Sequence, residues 1–205
     1  MVYPQPADTL VMLGDTIDRG PDSRGVIEQL LALRKRCRLV CILGNHEQML
    51  LDALEGLMPV QEWLRYGGAE TLDSYGKGAG VNAVNDAHVA FIRTWRDVHE
   101  TEDEFYCHGN YVERMPLNSQ YWPDLRWQSL KWHTPGRHRS GKMAVVGHTA
   151  NKQGRILNLG HLVCIDTYCH GGGWLTAFEP QTGRVWQTSE EGERRESMLP
   201  DPSRA

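Results

Sequence analysis

The sequence predicts an α/β fold built on a mostly parallel β-sheet with covering helices. Three observations predict it. Short apolar runs at residues 8–14 and 39–43 each end in a glycine, Gly14 and Gly44. Each is followed by apolar residues at helical spacing: Val26, Ile27, Leu30, Leu31 and Leu33 after the first, Met49, Leu50, Ala53, Leu54 and Leu57 after the second. Two later runs, 105–107 and 143–146, close in similar turns, Cys107-His108-Gly109 and Gly147-His148-Thr149. Strand, glycine turn and helix in alternation is the grammar of a parallel sheet whose faces are covered by helices.

The elements follow in order. Asp22 or Ser23 is placed to cap the first helix. Residues 60–100 read as a helical insertion broken by Gly67-Gly68 and by the glycines at 76, 78 and 80. Apolar runs at 162–165, 175–178 and 185–187 read as closing strands, with Thr182-Gly183 as a hairpin turn between the last two. From Ser189 the chain is charged and punctuated by proline, which reads as a flexible charged tail. The expected organisation is a single domain over 1–188 followed by the tail 189–205.

Composition narrows the classes. The chain has 205 residues, 26 acidic against 22 basic side chains, and a formal net charge of −4. That length buries a core without disulfide staples. A mildly acidic balance argues against a dedicated nucleic-acid binder, which carries a basic stripe. Ordinary apolar content argues against collagen-like, disordered and coiled-coil classes. The opening Met-Val-Tyr-Pro-Gln-Pro lacks the order of a signal peptide, and no apolar run approaches the roughly 18 residues of a membrane span. The five cysteines form no C-x-x-C pair, which argues for reduced thiols, a cytoplasmic setting and no zinc ribbon.

The chemistry sits at the predicted strand ends, which carry Asp15, Asn45-His46, His108 and His148. Ligands of open α/β sheets bind beyond the carboxyl ends of the strands. One histidine at such an end is usually structural, but an Asp, an Asn and two His together make a mixed oxygen and nitrogen shell. Such a shell suits manganese, iron or zinc better than magnesium or calcium. Trp63, Trp95, Trp122 and Trp132 read as packing residues, and Asp86-Ala87-His88, in a helical stretch, as a chance pairing of ligand-type residues.

Three blocks carry a family resemblance: Gly14-Asp15-Thr16-Ile17-Asp18-Arg19-Gly20, Gly44-Asn45-His46-Glu47 and Gly147-His148-Thr149. They resemble the signatures of the PPP calcineurin-like metallophosphoesterases. The run from Gly44 to Leu51, Tyr106-Cys107-His108-Gly109, Ile165-Asp166-Thr167 and Trp174-Leu175-Thr176-Ala177 are similar to the bacterial and phage serine/threonine phosphatase branch. The resemblance covers residues 8–188. It implies a four-layer sandwich of two mixed β-sheets flanked by helices, holding two divalent metal ions, with manganese favoured. Asp15 would bridge both metals, and Asn45, His108 and His148 would complete the shell of one. His46 would protonate the leaving alkoxide, oriented by Asp18, while Arg19 would clamp the phosphoryl oxygens and a metal-bound hydroxide would attack in line. A second phosphate-binding arginine is expected between His108 and His148, with Arg126 as the candidate and Arg114, Arg137 and Arg139 as surface alternatives. Asp166 ends a predicted strand, where a structural role and a functional one stay open, and Tyr168-Cys169-His170 either lines the substrate mouth or only shapes its loop.

The family's opening Asp-x-His-Gly block and first strand-helix unit have no counterpart, since Met1 stands fourteen residues before Asp15. Only one metal site is then complete, and weak activity and poor stability are expected of the chain as it stands. A truncated reading, a divergent member and completion by another chain are the open alternatives. The expected function is hydrolysis of phosphoserine or phosphothreonine in proteins. Asp18 and Glu47 favour that over hydrolysis of dinucleoside polyphosphates, the second enzyme reading. A phospho-binding protein without turnover is the third.

Overall fold

Parallel pairing organises the start of the chain and mixed pairing the remainder. The computed structural model describes residues 3–202, and two compact units divide the chain, Met1–Asp97 and Val98–Ala205.

In the first unit β1 (Thr9–Met12) and β2 (Arg38–Cys41) pair in parallel, in register from Thr9 opposite Arg38 to Met12 opposite Cys41. The second apolar run continues past β2, where Leu43 N–H donates to Arg96 O and Arg96 N–H donates to Cys41 O. Between the strands lies α1 (Ser23–Leu33), capped by the Asp22 side chain, which accepts from Gly25 N–H at 2.8 Å. After β2 comes α2 (Asn45–Glu55), which ends at Gly56 in the left-handed region (φ 72°). This helix begins at Asn45, ahead of Met49 where the apolar spacing starts, so Asn45 and His46 lie in its first turn.

The predicted insertion is helical. In it α3 (Val60–Trp63) runs into a π-helical turn, Leu64–Gly68, and on into α4 (Ala69–Tyr75). Gly67, at φ 112° and ψ 5°, marks a kink rather than an end. After it comes α5 (Asp86–Ile92), capped by Asn85. His88 is buried there, with Nδ1 2.8 Å from the Tyr75 hydroxyl, so within Asp86-Ala87-His88 the histidine is a packing residue while Asp86 and Ala87 are exposed. Ile27, Leu30, Met49, Leu50, Trp63, Leu72 and Ile92 form the core of this unit. Burying each aliphatic member contributes about 1.5–3 kcal/mol.

The second unit holds a five-stranded sheet of β3 (His99–Glu100), β4 (Glu104–Tyr106), β5 (Met143–Val146), β6 (Leu157–Asn158) and β7 (Leu162–Cys164), ordered β3-β4-β5-β7-β6. Its centre, β4-β5-β7, is parallel and its two edges antiparallel. The segment between β4 and β5 contains α6 (Trp122–Trp127). Phe105, Tyr111, Leu125, Ala144, Val146 and Leu162 are the core.

A second sheet, antiparallel, joins β8 (Leu175–Glu179), β9 (Arg184–Thr188) and β10 (Arg194–Met198), with Gly183 (φ 74°) in the hairpin between β8 and β9. β10 lies in the segment read as a flexible tail, and it pairs with β9 from Arg194 opposite Thr188 to Met198 opposite Arg184. The tail reading rested on the lack of apolar residues, but an exposed edge strand needs none. Backbone pairing holds it, aided by the Arg195 guanidinium 4.0 Å from the Trp174 ring centroid. Among the described residues, no helix is long and apolar enough to cross a membrane.

Candidate active site

The loop after β1 adopts an uncommon backbone. Asp15 (φ 53°), Asp18 (φ 72°) and Arg19 (φ 63°) all occupy the left-handed region, as do His148 (φ 59°) and Tyr168 (φ 67°). These are the non-glycine residues with positive φ among those described. Each such residue costs on the order of 1–3 kcal/mol and persists only where its surroundings hold it.

Glu47 holds the first. Its fully buried carboxylate takes Asp15 N–H (2.9 Å) and Gly44 N–H (3.0 Å) on Oε2, and Thr16 N–H (2.7 Å) and the Thr16 hydroxyl (3.0 Å) on Oε1. The same contacts satisfy the start of α2. Glycine is required at 44, because a Cβ there would stand 2.4 Å from Asp15 Oδ1. The Asp15 carboxylate thereby lies against the first turn of α2, where His46 N–H donates to Oδ1 at 3.3 Å.

His46 and Asp18 form a buried pair, Nδ1 to Oδ2 at 2.7 Å, with side chains 2% and 0% exposed. The Asp18 carboxylate has two further donors, the Trp63 indole N–H on Oδ2 (2.9 Å) and the Thr71 hydroxyl on Oδ1 (2.6 Å). Its backbone N–H donates to Thr71 Oγ1 (2.9 Å) and Ser23 Oγ (3.1 Å). Arg19 N–H donates to Gly67 O at 3.1 Å, while its side chain is exposed. A Cβ at Gly67 would meet Arg19 Cγ at 2.6 Å, which explains the glycine at the kink.

The second unit carries the two remaining histidines. His108 follows β4 and is buried; His148 follows β5. Gly147 N–H donates to His108 O at 2.8 Å, which ties the two turns together. The ring nitrogens His108 Nε2 and His148 Nδ1 are 3.2 Å apart. His148 Nε2 lies 3.0 Å from Trp127 O, and since a carbonyl only accepts, Nε2 carries the proton and Nδ1 offers a lone pair. Two imidazole nitrogens at this spacing fit adjacent positions around one ion bound at about 2.0–2.1 Å. The His108 and His148 ring nitrogens of the second unit therefore fit a divalent metal.

The other candidates are placed as follows. Arg126, in the last turn of α6, lies with its guanidinium 5.3 Å from the Trp122 ring centroid. Arg137 donates to Gly141 O and Arg139 to Arg114 O. Asp166 Oδ1 accepts from Tyr168 N–H at 3.1 Å, a turn-shaping contact. Trp63 and Trp95 are buried as expected, but Trp122 is half-exposed and Trp132 is 86% exposed, so neither of these two is a core residue. Sequence reasoning missed Thr71, read Ser23 only as a candidate helix cap, and saw only packing in Trp63. The Gly67-Gly68 doublet was the available signal, since paired glycines inside a helical stretch mark a close backbone approach. Burial pushes the Cys41 thiol up to about 12, with the Glu47 charge adding to it, and burial does the same to Cys164, so neither is a nucleophile.

Comparison with known proteins places the sequence and the fold. Over 61 residues the chain is 48% identical to serine/threonine-protein phosphatase 1 of Salmonella typhimurium, a match spanning 30% of this chain and 26% of that protein. It is 24% identical to a symmetrical bis(5'-nucleosyl)-tetraphosphatase of Pseudomonas putida strain GB-1, across 86% of this chain and 81% of that one. Among solved structures, one described as a candidate diadenosine tetraphosphatase shares the fold with a TM-score of 0.63 at 17% identity, covering 97% of this chain and 84% of that one. A cold-active protein-tyrosine phosphatase of a Shewanella species does so at 0.64 and 18%, covering 94% and 69%. The sequence pattern of the calcineurin-like phosphoesterases fits residues 2–175, and the chain belongs to that family.

Proposed function

We propose that the chain is a cytoplasmic, metal-dependent phosphomonoesterase that acts on phosphoserine or phosphothreonine in proteins. In this reading Asp15, Asn45, His108 and His148 ligate metal, with manganese favoured. His46 donates a proton to the leaving alkoxide, Asp18 orients it, and Arg19 binds phosphoryl oxygens. The buried His46–Asp18 pair carries the reading. A carboxylate on Nδ1 leaves Nε2 to deliver the proton, and a placed imidazole contributes roughly 10²–10⁴-fold as general acid. The exposed planar guanidinium of Arg19 matches phosphate oxygens in a bidentate way. A divalent ion, when bound, supplies activation of the attacking water and neutralises charge on the phosphoryl group. Arg126 is the candidate for a second phosphate contact.

The local identity to a serine/threonine phosphatase supports the protein substrate. A second reading, hydrolysis of dinucleoside polyphosphates, is supported by the tetraphosphatase relative matched along most of both chains. Parallel assays with manganese separate them, one on a phosphothreonine peptide and one on diadenosine tetraphosphate. Release of phosphate from the peptide alone is expected. Cleavage of the dinucleotide alone overturns the first reading in favour of the second, and hydrolysis of neither overturns both.

A further inference from the structure

We infer that Trp63 and Thr71 are positioning residues that select the protonated nitrogen of His46 by locking the rotation of the Asp18 carboxylate. The inference rests on the reading of His46 as proton donor.

A carboxylate turns about its last side-chain bond with little intrinsic preference. Held by His46 alone, Asp18 could swing its oxygens out of line with Nδ1. Two more donors remove that freedom. Trp63 Nε1–H fixes Oδ2 from one side, and the Thr71 hydroxyl fixes Oδ1 from the other. Thr71 has a single hydroxyl proton, and it goes to Asp18. The 2.9 Å contact between Ser23 Oγ and Thr71 Oγ1 therefore runs with Ser23 donating, and Asp18 N–H completes the acceptor side of Thr71. The direction of every hydrogen bond in this network is thus determined.

The donors themselves are immobile. Trp63 and Thr71 are essentially fully buried, and the Trp63 indole lies on Gly68, where a Cβ would stand 2.4 Å from Cε2. Asp18 Oδ2, pinned by the Trp63 N–H, faces His46 Nδ1 as an acceptor, so a lone pair on Nδ1 would meet it unfavourably. A neutral ring is held as the Nδ1–H tautomer, which leaves Nε2 as the ring nitrogen outside the pair with Asp18. Segment 60–75, whose sequence names no chemistry of its own, sets the geometry of the acid.

The test uses the full-length protein labelled with ¹⁵N-histidine, with His46→Asn identifying the His46 ring signals. Wild type at one fixed pH is expected to show a protected proton on His46 Nδ1. Trp63→Phe, which keeps a ring without its N–H, and Thr71→Val, which keeps shape without the hydroxyl, are expected to lose that signal to a tautomer mixture. Thr71→Ser is expected to restore it. In turnover, the first two should lower kcat about 10–100-fold, part of the 10²–10⁴-fold that a general acid supplies, with KM little changed. A wild-type ring protonated on Nε2 overturns the inference without any variant, as does an Nδ1–H signal unaltered in both Trp63→Phe and Thr71→Val. Tautomer changes as expected, together with full activity in His46→Asn, would uphold the positioning and overturn the acid role instead.

Discussion

Glu47 Oε1 accepts the Thr16 backbone N–H at 2.7 Å, joining the turn after β1 to the first turn of α2 across 31 positions of chain. Four donors converge on this one buried carboxylate. Glu47→Gln replaces one of its oxygens with an NH₂ group, which then faces donors. Losses of about 2–4 kcal/mol are expected, because buried donors to a charged acceptor are expensive to orphan. Urea unfolding measures it, and an unchanged midpoint would show that the contacts carry no net stability.

Leaving-group dependence reports the role of His46. His46→Asn should slow hydrolysis of phenyl phosphate roughly 10²–10⁴-fold. The loss should be much smaller with p-nitrophenyl phosphate, whose leaving group departs without protonation. Equal losses on both esters would contradict proton donation.

His88 predicts a pH response of the fold. Burial lowers its pKa below the ordinary 6.5. As pH falls through that value the unfolded chain binds the proton first, so stability is present above about pH 6.5 and declines below it. Thermal unfolding between pH 7.5 and 5.5 should show the decline, and His88→Gln should flatten it. Identical slopes for the two proteins would remove His88 as the cause.

Thiol labelling checks the packing. Of the five cysteines only Cys169 is exposed, while burial holds Cys41 and Cys164 as neutral thiols with pKa values of about 12. Native protein at pH 8 should take up one equivalent of iodoacetamide, at Cys169, and five in urea. Rapid native labelling of Cys41 would mean that the first unit opens readily.

The sequence revealed the strands and their turns because both write locally. Apolar runs ending in glycine placed β1, β2, β4 and β5, and the residues just beyond them supplied the candidate ligands. The partners of those residues are less legible. Thr71 reaches Asp18 across 53 positions, and nothing in its neighbourhood distinguishes it from a surface threonine. Trp63 reads as bulk because only its N–H does more than fill space. β10 was hidden for the opposite reason: an exposed edge strand draws on backbone pairing, which leaves no apolar alternation to read. The half-exposed Trp122 and the exposed Trp132 mark the same boundary, since residue type alone does not say which aromatic side chain finds a core.

The π-helical turn at Leu64–Gly68 has a consequence for how this protein can vary. Removing one residue from it would rotate everything that follows by about 100° relative to α3. Trp63 and Thr71 could then no longer address the same carboxylate, and Gly67 would no longer meet Arg19. Changes of chain length are thus barred from this stretch, whereas the exposed turn at 76–78 after α4 packs against no core residue and is the better place for them.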